Sequence, residues 1–224
     1  MKTLRHSPNT ANTQEPTRQS RRALVLGLGA AALLPLLQGC FPVVATGVGA
    51  GAALVSDRRT SGTYVEDEGI EWKVSSRIRE RFGSSAHVNV TSYNRNVLLT
   101  GEAPNETVRG ELERIVGGVE HVRGVINEVV VGPNSSLTAR GNDALITSNV
   151  KARFVDAQRF SAHNVKVVTE ANVVFLMGIV TRAEADAAAE VARTSQGVRK
   201  VVRVFEYISD EEARRLDNPT GARR

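Results

Sequence analysis

The chain has a single cysteine, Cys40, so no intramolecular disulfide can form and stability has to come from packed cores. It also lacks a long hydrophobic run. The longest apolar stretch, from Ala23 to Leu37, falls short of the roughly 20 residues that a membrane span takes. No Gly-x-Ser-x-Gly elbow is present, and the glycines between 46 and 51 precede every predicted element rather than following a strand as a phosphate loop would. His87, His121 and His163 lie far apart, with no His-x-x-x-His spacing. His87 and His163 recur at about the same place in two repeats, as structural positions do. Without a nucleophile, an acid–base pair or a ligand cluster, the residues point to a binding module: no enzyme, no catalytic residue, no metal site and no cofactor.

Excess charge is lacking as well, although the formal net of +5 suggests otherwise. Five of the 29 Lys and Arg and one of the 24 Asp and Glu lie in residues 1–39, which leaves 24 bases against 23 acids, a net of +1. The basic balance belongs to the N-terminal segment, and nothing in bulk charge argues for nucleic acid.

Arg18, Arg21 and Arg22, the apolar run and then Leu37-Gln38-Gly39-Cys40 follow the order of a secretory signal. The Leu-x-Gly-Cys lead resembles a bacterial lipobox. That resemblance implies cleavage after residue 39 and a covalent lipid on Cys40; the alternative is a signal peptide that ends near a cysteine by chance. Ser20-Arg21-Arg22-Ala23-Leu24 resembles a twin-arginine signal, so the Sec and twin-arginine routes both stay open. Phe41 stands where an inner-membrane lipoprotein often carries Asp, which by resemblance to lipoprotein sorting points to the periplasmic face of the outer membrane.

Residues 40–66 are rich in Gly and Ala and read as a flexible tether, or else as a small-residue segment packed on the first domain. From there the order helix, strand, strand, helix, strand appears twice, in 67–132 and 142–208, joined by a Gly/Pro/Ser linker at 133–141. Ile146, Val150 and Phe154 repeat Val74, Ile78 and Phe82 with a shift of 72. Asn164-Val165-Lys166-Val167 repeats 87–90 with a shift of 77, and Val174-Phe175-Leu176-Met177-Gly178 repeats Val97-Leu98-Leu99-Thr100-Gly101 with the same shift. Gly197-Val198-x-x-Val201 repeats Gly118-Val119-x-x-Val122 with a shift of 79. We read an internal duplication. The polar tail, 209–224, opens on a Ser209/Glu212 capping signal for a short helix.

The Gly-Val-x-x-Val motif, the strand ending Val-x-Leu-x-Gly and the αββαβ order resemble the BON domain. The implied fold class is α+β: two tandem BON-like αββαβ domains, each a three-stranded mixed sheet packed against two helices. Two such domains behind a lipobox imply a lipid-anchored outer-membrane protein that binds anionic phospholipid through the second domain, supports envelope integrity and gathers at the division site.

The residues suggest where. With Ile146, Val150 and Phe154 facing the sheet, Leu145, Ser148, Ala152 and Val155 fall on the outer face, flanked by Lys151 and by Arg159 if the helix reaches it. An apolar strip edged by cations fits a lipid headgroup region. The plainer reading packs Leu145 and Val155 on the first domain or its linker. The first domain's outer face carries Lys73, Ser76, Arg79 and Glu80, with only Trp72 apolar; Trp72 serves either interdomain packing or a second contact. The alternative function is a protein-interaction module docking on outer-membrane assembly machinery or on regulators of peptidoglycan enzymes.

Overall fold

The computed structural model describes residues 57–218; the signal segment, Cys40, most of the expected tether and the last six residues lie outside them. The first domain runs α1 (Ser61–Phe82), β1 (His87–Tyr93), β2 (Asn96–Ala103), α2 (Glu106–Gly117), β3 (Gly124–Asn127) and β4 (Val130–Val131). The second runs α3 (Leu137–Ala157), a 3-10 turn (Ala162–Asn164), β5 (Lys166–Glu170), β6 (Val173–Val180), α4 (Arg182–Arg193) and β7 (Lys200–Tyr207), followed by α5 (Asp210–Asp217). In each sheet the middle strand pairs antiparallel with the strand before it and parallel with the one after the second helix. Two mixed sheets, each with its own helix pair, are the αββαβ order expected. The third strand of the first domain, expected over 122–131, is broken. Asn127 accepts the Val129 N–H on its side chain and donates to the Arg109 carbonyl, which interrupts the ladder.

The middle strands explain the packing. Val97 and Leu99 face α1 and α2, and Val174, Leu176 and Val180 face α3 and α4. The alternate residues, Leu98 in β2 and Phe175, Met177 and Ile179 in β6, point the other way and share a third core with Tyr93. A strand buried on both faces reads as an unbroken apolar run, as Val173–Val180 does. The two sheets therefore meet face to face with helices outside, a four-layer molecule. Burial of these side chains stabilises the seam by about 1.5–3 kcal/mol each.

Both β-hairpins turn on two residues of positive φ, Asn94 and Arg95 in one domain and Ala171 and Asn172 in the other, the geometry of a tight primed turn. The glycine expected to end the strand lies two residues inside it and has a steric cause: a Cβ on Gly101 would lie 2.0 Å from the His87 carbonyl oxygen, and one on Gly178 2.3 Å from that of Asn164. This pairs His87 with Asn164, not with His163, which sits one residue earlier on an exposed turn.

Several boundaries differ from the sequence expectation. Thr60 caps α1 by accepting the Thr63 N–H, so the end of the expected tether is structured. Ser136 likewise caps α3, which begins inside the expected linker. The inward residues are Asp67, Ile70, Val74 and Ile78 in α1 and Asp143, Ile146, Val150 and Phe154 in α3. The helices therefore correspond with an offset of 76, not 72, one turn away and nearly in step with the strands.

The ends of the described chain are clamped together. The buried Arg58 guanidinium meets Glu184 at 2.7 and 2.9 Å, Asp217 at 2.8 and 2.9 Å, and the Ile179 carbonyl at 2.9 Å. Its neighbour Arg59 turns to the first domain, pairing with Asp67 at 2.9 Å and lying over the Tyr93 ring at 4.1 Å. Among the described residues no helix is long and apolar enough to cross a membrane.

Candidate lipid-binding surface

Helix α3 is fixed by its inner face. Asp143, Ile146, Val150 and Phe154 are buried, and Phe154 meets Phe160 edge to face at 4.9 Å, holding the segment after the helix against its end. The outer face is consequently left uncovered by the other described residues. Leu145 is 71% exposed and Val155 63%, and Ser148, Lys151, Ala152 and Arg159 are exposed too. The first domain does not cover Leu145 or Val155, because its sheet packs on the opposite side of the second domain. Among the described residues neither the first domain nor the 133–141 linker buries them. The Ser148 hydroxyl donates to the Ala144 carbonyl at 3.0 Å, which turns its proton away from the surface and leaves the strip less polar than its sequence suggests.

The cations divide into two groups. Arg153 is engaged by the Val191 carbonyl, Ser195 and Thr194. Lys151 and Arg159 have no carboxylate partner among the described residues. Arg159 is not on the helix, however. Gln158 takes a left-handed conformation, φ 49°, and ends α3 at Ala157, so Arg159 belongs to the segment that follows. Asp156, exposed beside Val155, sets one acid against these two bases.

Two residues of the surface escaped the sequence reading. Leu137, 82% exposed, opens α3 and lies eighteen residues before Val155, five full turns, on the same line. The usable signal was Ser136, a cap residue just ahead of it. On α1, Val65 and Trp72 are both exposed and seven residues apart, so they share a face. Trp72 thus takes no part in interdomain packing, and the first domain's outer face carries two large apolar residues instead of one. A third grouping, His87 with Glu102 and Glu170, draws on both domains and is invisible at the spacing of the sequence.

A model of the BON domain matches residues 66–133 and 142–209. The chain is similar to the Outer membrane lipoprotein DolP of Haemophilus influenzae, 40% identical over 175 residues, covering 77% of this chain and 90% of that protein. It is similar to the 21 kDa hemolysin of Actinobacillus pleuropneumoniae, 36% identical over 154 residues, covering 68% and 79%. The Osmotically-inducible protein Y of Escherichia coli is 27% identical over 160 residues, covering 70% and 80%. With two tandem matches and that identity over most of its length, the chain belongs to the BON-domain family, as a DolP-like protein with two BON domains.

Proposed function

We propose that this chain is a non-catalytic outer-membrane lipoprotein, held by a lipid on Cys40, whose second BON domain binds anionic phospholipid through α3. Its place in the outer membrane of the envelope follows from its likeness to Outer membrane lipoprotein DolP. The single observation that carries the lipid reading is the outer face of α3. There Leu137, Leu145 and Val155 stand in water along one helix while the sheets and inner helix faces bury their apolar residues. Leu145, Ala152 and Val155 would enter the headgroup layer, and Lys151 and Arg159 would meet phosphate. Acyl chains, at about 0.8 kcal/mol per buried CH₂, supply constant anchorage; the helix adds a reversible contact that depends on lipid composition. Such a contact would position the protein to support envelope integrity and to gather at the division site.

The test is sedimentation of the full chain, carrying Cys40→Ser to remove the anchor, with vesicles of graded anionic content. Binding should rise with the anionic fraction and vanish in Leu145→Asp, a change at an exposed site that leaves the fold intact. A folded Leu145→Asp variant that binds as well as its parent overturns the assignment. Absence of binding at every composition transfers the function to protein docking, and Val65 with Trp72 on α1 then becomes the surface to map against assembly or cell-wall proteins.

A further inference from the structure

We propose that His87, Glu102 and Glu170 form a binding site for a divalent transition-metal ion, Zn²⁺ by the chemistry of its ligands, that bridges the two BON domains. One imidazole nitrogen and two carboxylate oxygens lie within 4.8 Å of one another. His87 opens β1 directly opposite Glu102 on β2, with Nδ1 3.1 Å from Oε2, and Glu170 closes β5 of the other domain. A tetrahedral ion with bonds of about 2.0–2.2 Å holds its ligands roughly 3.3–3.6 Å apart, a spacing that small rotations of two long carboxylate side chains reach.

The cluster is short of positive charge. Both glutamates are buried, and among the described residues no Lys or Arg pairs with either. Elsewhere the buried Asp67 is met by Arg59, and the buried Asp143 by two backbone N–H groups of its hairpin. Burial of an unpaired charge is costly. A divalent cation would satisfy both acids at once.

The hydrogen bonds leave ligand atoms open. Glu102 Oε2 accepts from His87, the Ser135 N–H at 3.1 Å and the Ser135 hydroxyl at 3.2 Å. Glu170 Oε2 accepts from Asn89 at 2.7 Å and Thr100 at 3.3 Å. These bonds orient each carboxylate as outer partners of a metal site do, and among the described residues none is made to either Oε1. One imidazole with two carboxylates suits zinc and its first-row neighbours, whereas magnesium and calcium favour oxygen alone. A groove of about 540 Å³ lined by Ala86, His87, Asn89 and Val168 opens His87 to solvent.

The experiment titrates the untagged full chain, with Cys40→Ser to remove the competing thiol, with Zn²⁺ by calorimetry at neutral pH, and follows thermal unfolding in parallel. The expected result is one equivalent of Zn²⁺ and a raised melting temperature, with no response to Mg²⁺. Glu170→Gln keeps the shape and an acceptor for Asn89 and Thr100, and should weaken binding by about tenfold or more and abolish the thermal shift. His87→Gln, at the less buried ligand, should do the same, while His163→Ala on its exposed turn should change neither. No binding to the parent chain, or equal binding by the parent and a folded Glu170→Gln variant, overturns the site.

Discussion

Asp67 and Asp143 are acids placed where apolar side chains would be expected, and each holds one hairpin. Asp143 accepts the Ala171 and Asn172 N–H groups at 2.9 Å each; Asp67 accepts those of Asn94 and Arg95 at 2.8 and 2.7 Å. These are the residues of positive φ, a conformation unfavourable for most side chains, and the carboxylate stabilises it by charge-assisted bonds from the preceding helix. Removing the acceptor strands two part-buried donors. We expect Asp143→Ala to cost about 3 kcal/mol, since hydrogen bonds to charged groups are each worth about 1.5–3 kcal/mol, and Asp143→Asn to recover part of it. Asp67→Ala should cost more, because it also leaves Arg59 short of a partner. Urea unfolding reads these differences, and an unshifted midpoint for Asp143→Ala would show that the turn holds itself.

At the scale of one element, α3 is a helix with two apolar faces of different purpose. The inner face is set by period: Ile146, Val150 and Phe154 every four residues, with Asp143 one turn ahead. The outer face is defined by exposure, and Lys151 is its central cation. A base near an anionic surface contributes about 1 kcal/mol, so Lys151→Glu, which reverses the charge, should weaken binding to anionic vesicles by about tenfold or more and leave stability unchanged. Leu137→Asp should weaken binding as well, because the strip runs from that residue. If Leu137→Asp binds like the parent while Leu145→Asp does not, the contact is confined to the second half of the helix. The strip was legible in the sequence from Leu145 onward because helical spacing is local. Leu137 was not, since Gly141 and the polar residues before it look like a joint until the Ser136 cap is placed.

On the scale of the whole molecule, Arg58 joins what the chain order keeps apart, 159 residues from Asp217. Its hydrogen bond holds the Asp217 carboxyl below the usual range. Burial alone would raise Glu184, but the bonds from Arg58 and Thr181 outweigh it and lower that group also. Carboxyls lowered by folding add stability that is complete above their unfolded pKa, near 4 for Asp and Glu, and that is lost as pH falls through the folded values. Arg58→Ala should therefore destabilise the chain at neutral pH by about 3 kcal/mol, the low end for a broken buried pair because Asp217 is part-exposed and regains water. The gap in melting temperature between variant and parent should close below about pH 4. A gap that persists unchanged at low pH would mean that Arg58 acts by packing alone.

The sequence by itself determined the elements, the duplication, the family resemblance and the outer strip of α3. Each rests on short-range information: a period of about four, a two-residue turn, a motif of five residues. Tertiary structure alone decided the rest. An alignment with an offset of 72 and one with 76 both place apolar residues on apolar residues, and only the buried Asp67 and Asp143, tied to equivalent turns, choose between them. The apolar run of β6 says that both its faces are covered, but not that the first domain's sheet covers one. The same holds for His87 beside Glu170 and for Arg58 beside Asp217, pairs set by the docking of two domains, a long-range fact that no local pattern encodes.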